Sequence, residues 1–200
     1  MGYEVSSKKL EYWTWRRRAK LSALVLPYGL AAISHDLFAV VVGLLLSVAL
    51  LVDLARFVIP NFNQRYLAAS SFAKPKEIQR LSGYSFFLLS TVTLFWFFPT
   101  NTAIVALTFF IVSDLIAPVI GQRWLTKEII NKKTWGGATG VVLACLAAGY
   151  CIAWLTPLAL TFPFILVAAL SVAILDLGSF ILDDNLLVPL GTAVVLAILF

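Results

Sequence analysis

Long apolar runs separated by short polar breaks set the organisation of this chain. The runs cover roughly residues 21–33, 37–52, 81–98, 102–120, 137–155, 158–175 and 186–200. Most are 16 to 20 residues long and nearly free of charge, the length an α-helix needs to cross a bilayer. The expected fold is therefore an all-α, polytopic integral membrane protein of about seven transmembrane helices, built as a single domain over residues 1–200. The first run is short and holds Pro27 and Gly29, so a kinked or re-entrant segment is expected there. The last is barely long enough to cross.

The breaks carry ordinary punctuation. Ser34-His35-Asp36 reads as a turn, Pro60 closes the second helix, and a polar loop continues to Arg80. Pro99-Thr100-Asn101 and Thr156-Pro157 turn the chain again. Residues 1–20 form a basic interfacial segment, with Tyr12, Trp13 and Trp15 beside Arg16, Arg17 and Arg18. Glu4 and Glu11 make that segment unlike a cleavable signal peptide. Phe95-Trp96-Phe97-Phe98 reads as an aromatic belt at the far end of the third run.

Composition removes the soluble alternatives. The chain is 61% hydrophobic and 12% charged, against about 45–50% and about 25% for globular domains. A net charge of +5 can point to nucleic acid, but here it has a topological origin. All fifteen Lys and Arg fall in three clusters, at 8–20, 56–80 and 123–133, which alternate spans place on one face. By the positive-inside bias that face, and the N-terminus with it, is cytoplasmic, and no nucleic-acid partner is expected. Seven crossings bring nine of the ten acids, all but Asp36, to the same face. Cys145 and Cys151 lie six apart on one helix, face different sides, and read as packing residues.

Four polar groups thus end at one side of the bundle: Asp53/Arg56, Asp114, Lys132/Lys133 with Gly136/Gly137, and Asp176/Asp183/Asp184/Asn185. Ionisable residues in or beside spans are costly and often functional. Carboxylate and amide oxygens suit Mg²⁺, lysines and glycine amides suit phosphate, and a further carboxylate can act as general base. Together these are parts for phosphoryl or nucleotidyl transfer. Each has a plain structural alternative: a helix-end ion pair for Asp53 and Arg56, topogenic charge for the lysines, helix packing for Gly136-x-x-x-Gly140, and a solvated turn for Asp183-Asp184 with Asn185 capping the last helix. No Walker-type loop, protein-kinase signature or Ser/His/Asp set occurs, and the sole histidine, His35, lies on the opposite face.

Asp176-x-Gly178, with Asp183-Asp184-Asn185-Leu186 and Pro189-Leu190, resembles the closing signature of the CTP-dependent lipid kinases, the group of dolichol kinase, phytol kinase and yeast-type diacylglycerol kinase. Ser113-Asp114, Ala117 and Gly121 resemble an earlier Gly-Asp, Ala, Gly segment of that family, and Lys133-Thr134-Trp135-Gly136-Gly137 its Lys-Ser-x-Glu-Gly. Asp53 to Phe57, and Glu77 with Ser82-Gly83-Tyr84, are similar to segments before these, so the likeness runs over about four-fifths of the chain. Three positions depart from the pattern: Gly136 stands for Glu, Ser113 for Gly and Asp176 for the usual Glu.

What the resemblance implies is a kinase that moves the γ-phosphate of CTP, with Mg²⁺, onto the hydroxyl of a membrane lipid alcohol at the cytoplasmic face. It implies catalytic roles for Asp114, Asp184, Asn185 and Lys133, and nucleotide or phosphate contacts from Lys132, Lys133, Thr134, Gly136, Gly137 and Arg56. Metal ligands would come from Asp114, Asp176, Asp183 and Asp184, with Asp53 and Glu77 as further candidates. The alternatives are nucleotidyl transfer of the phosphatidate cytidylyltransferase kind, and a non-catalytic membrane protein or transporter. A homo-oligomer is left open.

Overall fold

A computed structural model describes residues 22–32, 34–69, 80–130, 133–179 and 182–200. Eight α-helices and one small hairpin make up these residues: α1 (Val25–Ala32), α2 (His35–Val58), α3 (Pro60–Ala69), α4 (Gly83–Phe97), α5 (Thr100–Gly121), β1 (Glu128–Ile130), β2 (Lys133–Thr134), α6 (Trp135–Leu155), α7 (Phe162–Leu177) and α8 (Asp184–Leu199). The described residues are all-α apart from the antiparallel pairing of β1 with β2, which pattern reading did not anticipate because it lies inside the basic loop.

Seven crossings of full length are not what the described residues contain. Three helices, α2, α5 and α6, are long and apolar enough to cross a membrane. The apolar helices α4, α7 and α8 have 15, 16 and 16 residues, or about 23 Å at 1.5 Å per residue, against about 30 Å of bilayer hydrocarbon. The first run gives only the eight residues of α1, about 12 Å, since α1 ends at Ala32 and Ser34, in extended conformation, stands at the N-cap position of the next helix. The second helix runs to Val58 and carries Asp53 and Arg56 in its last two turns, three residues apart on one helix, as the spacing predicts. Pro60 ends it as anticipated, but then opens α3 instead of an open loop.

α5 is the centre of the bundle, with every residue from Thr102 to Ile111 buried. α6 lies close against it because glycines thin the contact: a Cβ on Gly140 would meet the Ile120 side chain at 2.7 Å, and one on Gly149 would meet Phe109 and Ile165. Gly140 and Gly149 thus form the helix-packing seam, whereas Gly136 meets the loop at Trp124 and not a helix. α7 and α8 complete the core with Ile165, Ala168, Val172, Val188 and Leu196, while the rings of Phe38 in α2 and Phe95 in α4 meet at a tilt, centroids 4.9 Å apart. α2 keeps only a narrow stripe inside and exposes Leu44, Val48 and Leu51, the pattern of a helix whose outer face meets hydrocarbon rather than water.

This up-and-down order returns the ends of α2, α5 and α7 and the starts of α4, α6 and α8 to one end of the bundle. The ion pair of Lys133, beside the start of α6, with Asp176, at the end of α7, ties that end together.

Candidate functional site

The loop between α5 and α6 is knotted onto the first turn of α6. Thr134 is the N-cap: its Oγ1 accepts from the Gly137 amide at 3.1 Å and donates to the Gly121 carbonyl at 3.3 Å. The Trp135 amide donates to the Lys127 carbonyl and the Gly136 amide to the Leu125 carbonyl. The three amides that open α6 are therefore satisfied inside the protein. At Gly136 the approach is tightest, since a Cβ there would stand 1.8 Å from the backbone oxygen of Trp124. No side chain fits that place. This explains the glycine where the resembling family carries Glu: here the Trp124 carbonyl occupies the space a glutamate would need.

Lys133 crosses from this loop to the end of α7. Its Nζ lies 2.7 Å from Asp176 Oδ1 and 3.2 Å from Ser179 Oγ, and it also bonds the Asp176 carbonyl. Three acceptors match the three donors of an ammonium group, so the lysine is saturated by one turn of chain. Ser179 Oγ in turn donates to the Asp176 carbonyl at 2.8 Å, which closes the helix end. Both charged side chains are about a quarter exposed.

Asp184 and Asp114 lie near enough for their charges to reach the Asp176 carboxylate, more weakly than that of Lys133. Asp114 is half-buried on α5, and Asp184 is half-buried at the first position of α8. Asp183 is the N-cap of α8. Its Oδ1 accepts from the Asn185 amide at 3.1 Å and also from Asn185 Nδ2, which reaches Asp184 Oδ1 at 3.3 Å as well. The capping residue is thus Asp183 and not Asn185, because a cap must precede the helix whose amides it receives.

Asp53 and Arg56 form a second polar cluster with a different character. Asp53 is fully buried and Arg56 is 1% exposed, so this is no solvated helix-end pair. Arg56 Nη1 lies 2.5 Å from Asp53 Oδ1. Asp53 Oδ2 accepts from the Ser82 amide at 2.9 Å and from Ser85 Oγ at 2.6 Å, at the capped start of α4. Arg56 Nε donates to Asn63 Oδ1 at 3.4 Å, and the guanidinium lies 4.6 Å from the centre of the Tyr66 ring. Arg56 is held by its own neighbours at this end of the fold, away from solvent.

The predicted residues therefore divide. Asp114, Lys133, Asp176, Asp184 and Asn185 share one end of the bundle with Asp183. Thr134, Gly136 and Gly137 build the turn beside them. Asp53 and Arg56 belong to the α2–α4 junction, and Lys132 and Glu77 lie outside the described residues. Ser82, Ser85 and Ser179 were not singled out as partners, since a serine gives no signal until the fold shows which acid or cation it faces.

The chemistry of this end is that of hard oxygen donors beside one cation. Among the described residues no three His, Cys, Asp or Glu stand close enough together to hold a metal ion. The chain matches no protein-family model, no curated protein and no solved structure.

Proposed function

We propose that the chain is a membrane-embedded, CTP-dependent kinase that phosphorylates the hydroxyl of a lipid alcohol such as a polyprenol, phytol or diacylglycerol. The reading rests on the resemblance of the Asp176–Leu190, Ser113–Gly121 and Lys133–Gly137 segments to that family. The observation that carries it furthest is the meeting of those three segments at one bundle end, where Asp114 and Asp184 act on the Lys133–Asp176 pair. The up-and-down order brings Asp114 and Asp176, 62 residues apart in sequence, to one end of the bundle, and ionisable residues gathered beside apolar helices are often functional.

In this reading all the apolar helices lie within the bilayer, the basic end faces the cytoplasm, and the alcohol enters at headgroup depth. The alcohol oxygen attacks the γ-phosphorus of CTP, the bond from γ-phosphorus to the bridging oxygen breaks, and CDP leaves. Asp184 or Asp114 takes the hydroxyl proton. Lys133 exchanges Asp176 for a phosphate oxygen, which its partial exposure allows. Mg²⁺, held by Asp114, Asp184 or both, would supply charge neutralisation for the triphosphate.

One observation favours a second reading. The amides that open α6 and all three donors of Lys133 are already engaged, as expected of a structural junction in a non-catalytic membrane protein. One assay separates these readings. Purified protein would be given Mg²⁺, terminally labelled CTP or ATP, and a panel of polyprenols, phytol and diacylglycerol. Label entering lipid from CTP supports the kinase. Label released in pyrophosphate indicates nucleotidyl transfer, and no lipid-dependent turnover leaves the non-catalytic reading.

A further inference from the structure

The segment that joins α5 to α6 carries a feature that phosphoryl transfer does not use. Trp124 is 74% exposed, Leu125 66%, Trp135 52% and Ile130 44%, so four large apolar side chains crowd one short loop and hairpin. Leu125 has φ 45°, the left-handed region that a bulky side chain rarely adopts. Packing does not force Leu125 there by burying it. Instead the backbone is gripped, with the Leu125 carbonyl on the Gly136 amide, the Lys127 carbonyl on the Trp135 amide, and the Trp124 carbonyl against bare Gly136. A rigid, strained turn that turns its leucine outward is an arrangement expected at a contact surface.

Its position identifies the contact. Gly121 ends one helix of crossing length, Trp135 opens another, and the two ends touch, with the Cα of Gly137 3.4 Å from where a Cβ on Gly121 would stand. Because Trp124 is folded onto the first turn of α6, the tip lies beside the helix ends instead of projecting beyond them. Arg123 and Lys127 flank it and are exposed. Indole rings beside cations at the end of an apolar helix match the headgroup layer, where rings sit among glycerol and cations meet phosphates.

We propose that the Trp124–Leu125 tip, with Ile130 and Trp135, is a lipid-docking element that inserts into the headgroup layer of a phospholipid bilayer and is held rigid by Gly136. The inference rests on the membrane-crossing part of the reading above and is independent of phosphoryl transfer. An unengaged second copy of the chain is the competing occupant. Lipid is favoured because the tip adjoins two crossing helices and carries cations at its edge.

The test places a polarity-sensitive fluorophore on Leu125→Cys, in full-length protein bearing Cys145→Ala and Cys151→Ala, reconstituted in equimolar phosphatidylcholine and phosphatidylglycerol vesicles. The expected result is a blue-shifted emission, quenched by nitroxides attached to lipid headgroups and shielded from aqueous iodide. A Leu143→Cys probe, exposed midway along α6, is the reference and should be quenched by nitroxides deep in the acyl chains. If Leu143 behaves so while Leu125 emits as in water and is quenched by iodide, the docking inference fails alone. If the Leu125 probe is shielded from both quenchers and loses its shielding as protein is diluted into lipid, a second copy covers the tip and the inference is overturned. If Leu143 is not quenched from the acyl region, the membrane-crossing reading fails and takes the inference with it.

Discussion

Lys133 Nζ stands 2.7 Å from Asp176 Oδ1, across 43 residues of chain. The pair joins the start of α6 to the end of α7 and stands at the meeting point of the acids. A partly exposed pair of this kind contributes only about 0–1 kcal/mol to stability. Lys133→Ala should therefore leave the unfolding temperature in detergent nearly unchanged. If the lysine neutralises a phosphate in the transition state, lipid phosphorylation should fall by about 10²-fold or more. Wild-type turnover in the variant would remove Lys133 from the chemistry.

The Asp53–Arg56 pair should behave in the opposite way. Both side chains are buried, and removing one partner leaves an unpaired charge, which costs about 3–5 kcal/mol. Asp53→Ala should also free the Ser82 amide and Ser85 hydroxyl at the start of α4. Thermal unfolding followed by intrinsic fluorescence should show a large loss for either single change, and a smaller loss for Asp53→Leu with Arg56→Leu than for the sum of the two. Additive losses would show that the two charges do not depend on each other.

Gly136 and Gly140 separate backbone crowding from side-chain crowding. At Gly136 a Cβ meets the Trp124 carbonyl oxygen at 1.8 Å, while at Gly140 it meets Ile120 Cδ1 at 2.7 Å and Ile120 Cβ at 3.0 Å, a milder overlap that a small shift of α6 relieves. Gly136→Ala should destabilise by about 2 kcal/mol or displace the 122–130 loop, and Gly140→Ala by distinctly less. Gly136→Glu, which restores the residue of the resembling family, should impair the protein further instead of raising activity. A stable, more active Gly136→Glu would contradict the crowding argument.

Asp183 tests whether an acid of the closing segment is a cap or a ligand. As the cap of α8 its loss should cost about 1 kcal/mol of stability. Asp183→Ser, which keeps a capping oxygen, should recover most of what Asp183→Ala loses, and if the proposed kinase activity is found, both variants should show the Mg²⁺ requirement of the wild type. A shift of the Mg²⁺ requirement in Asp183→Ser would make the residue a ligand.

The strained turn gives a further prediction. Glycine tolerates the φ of 45° that Leu125 adopts, whereas a β-branched residue does not. Leu125→Val should be less stable than Leu125→Gly by about 1 kcal/mol, measured by thermal unfolding. Equal stabilities would mean that the turn relaxes freely.

The apolar runs made the helical segments legible because each helix needs only its own backbone to satisfy its hydrogen bonds. Their number as crossings was less legible. The run at 21–33 looks apolar but breaks before Ser34, and the run at 158–175 begins its helix only at Phe162, because residues 156–161 are taken up by the turn. The acids of the candidate site were legible as a list, since charge in an apolar sequence stands out. Their partners were not. Asp176 facing Lys133 and Asp53 facing Ser85 depend on which helix ends are neighbours, a fact carried by contacts 43 and 32 residues apart.

By itself the sequence determined that the chain is a bundle of apolar helices with its charge gathered at the breaks, because hydropathy and length act locally along each segment. Only the tertiary structure decided what the charged and small residues do there. It buried Asp53 with Arg56 and set the Trp124 carbonyl against Gly136, so that position has no room for any side chain. It turned Thr134 and Asp183 into caps and left Lys133 and Asp176 partly open at the bundle end. A residue type fixes which bonds a group can make, but distance and burial select which of them it makes, and those are properties of helices packed together.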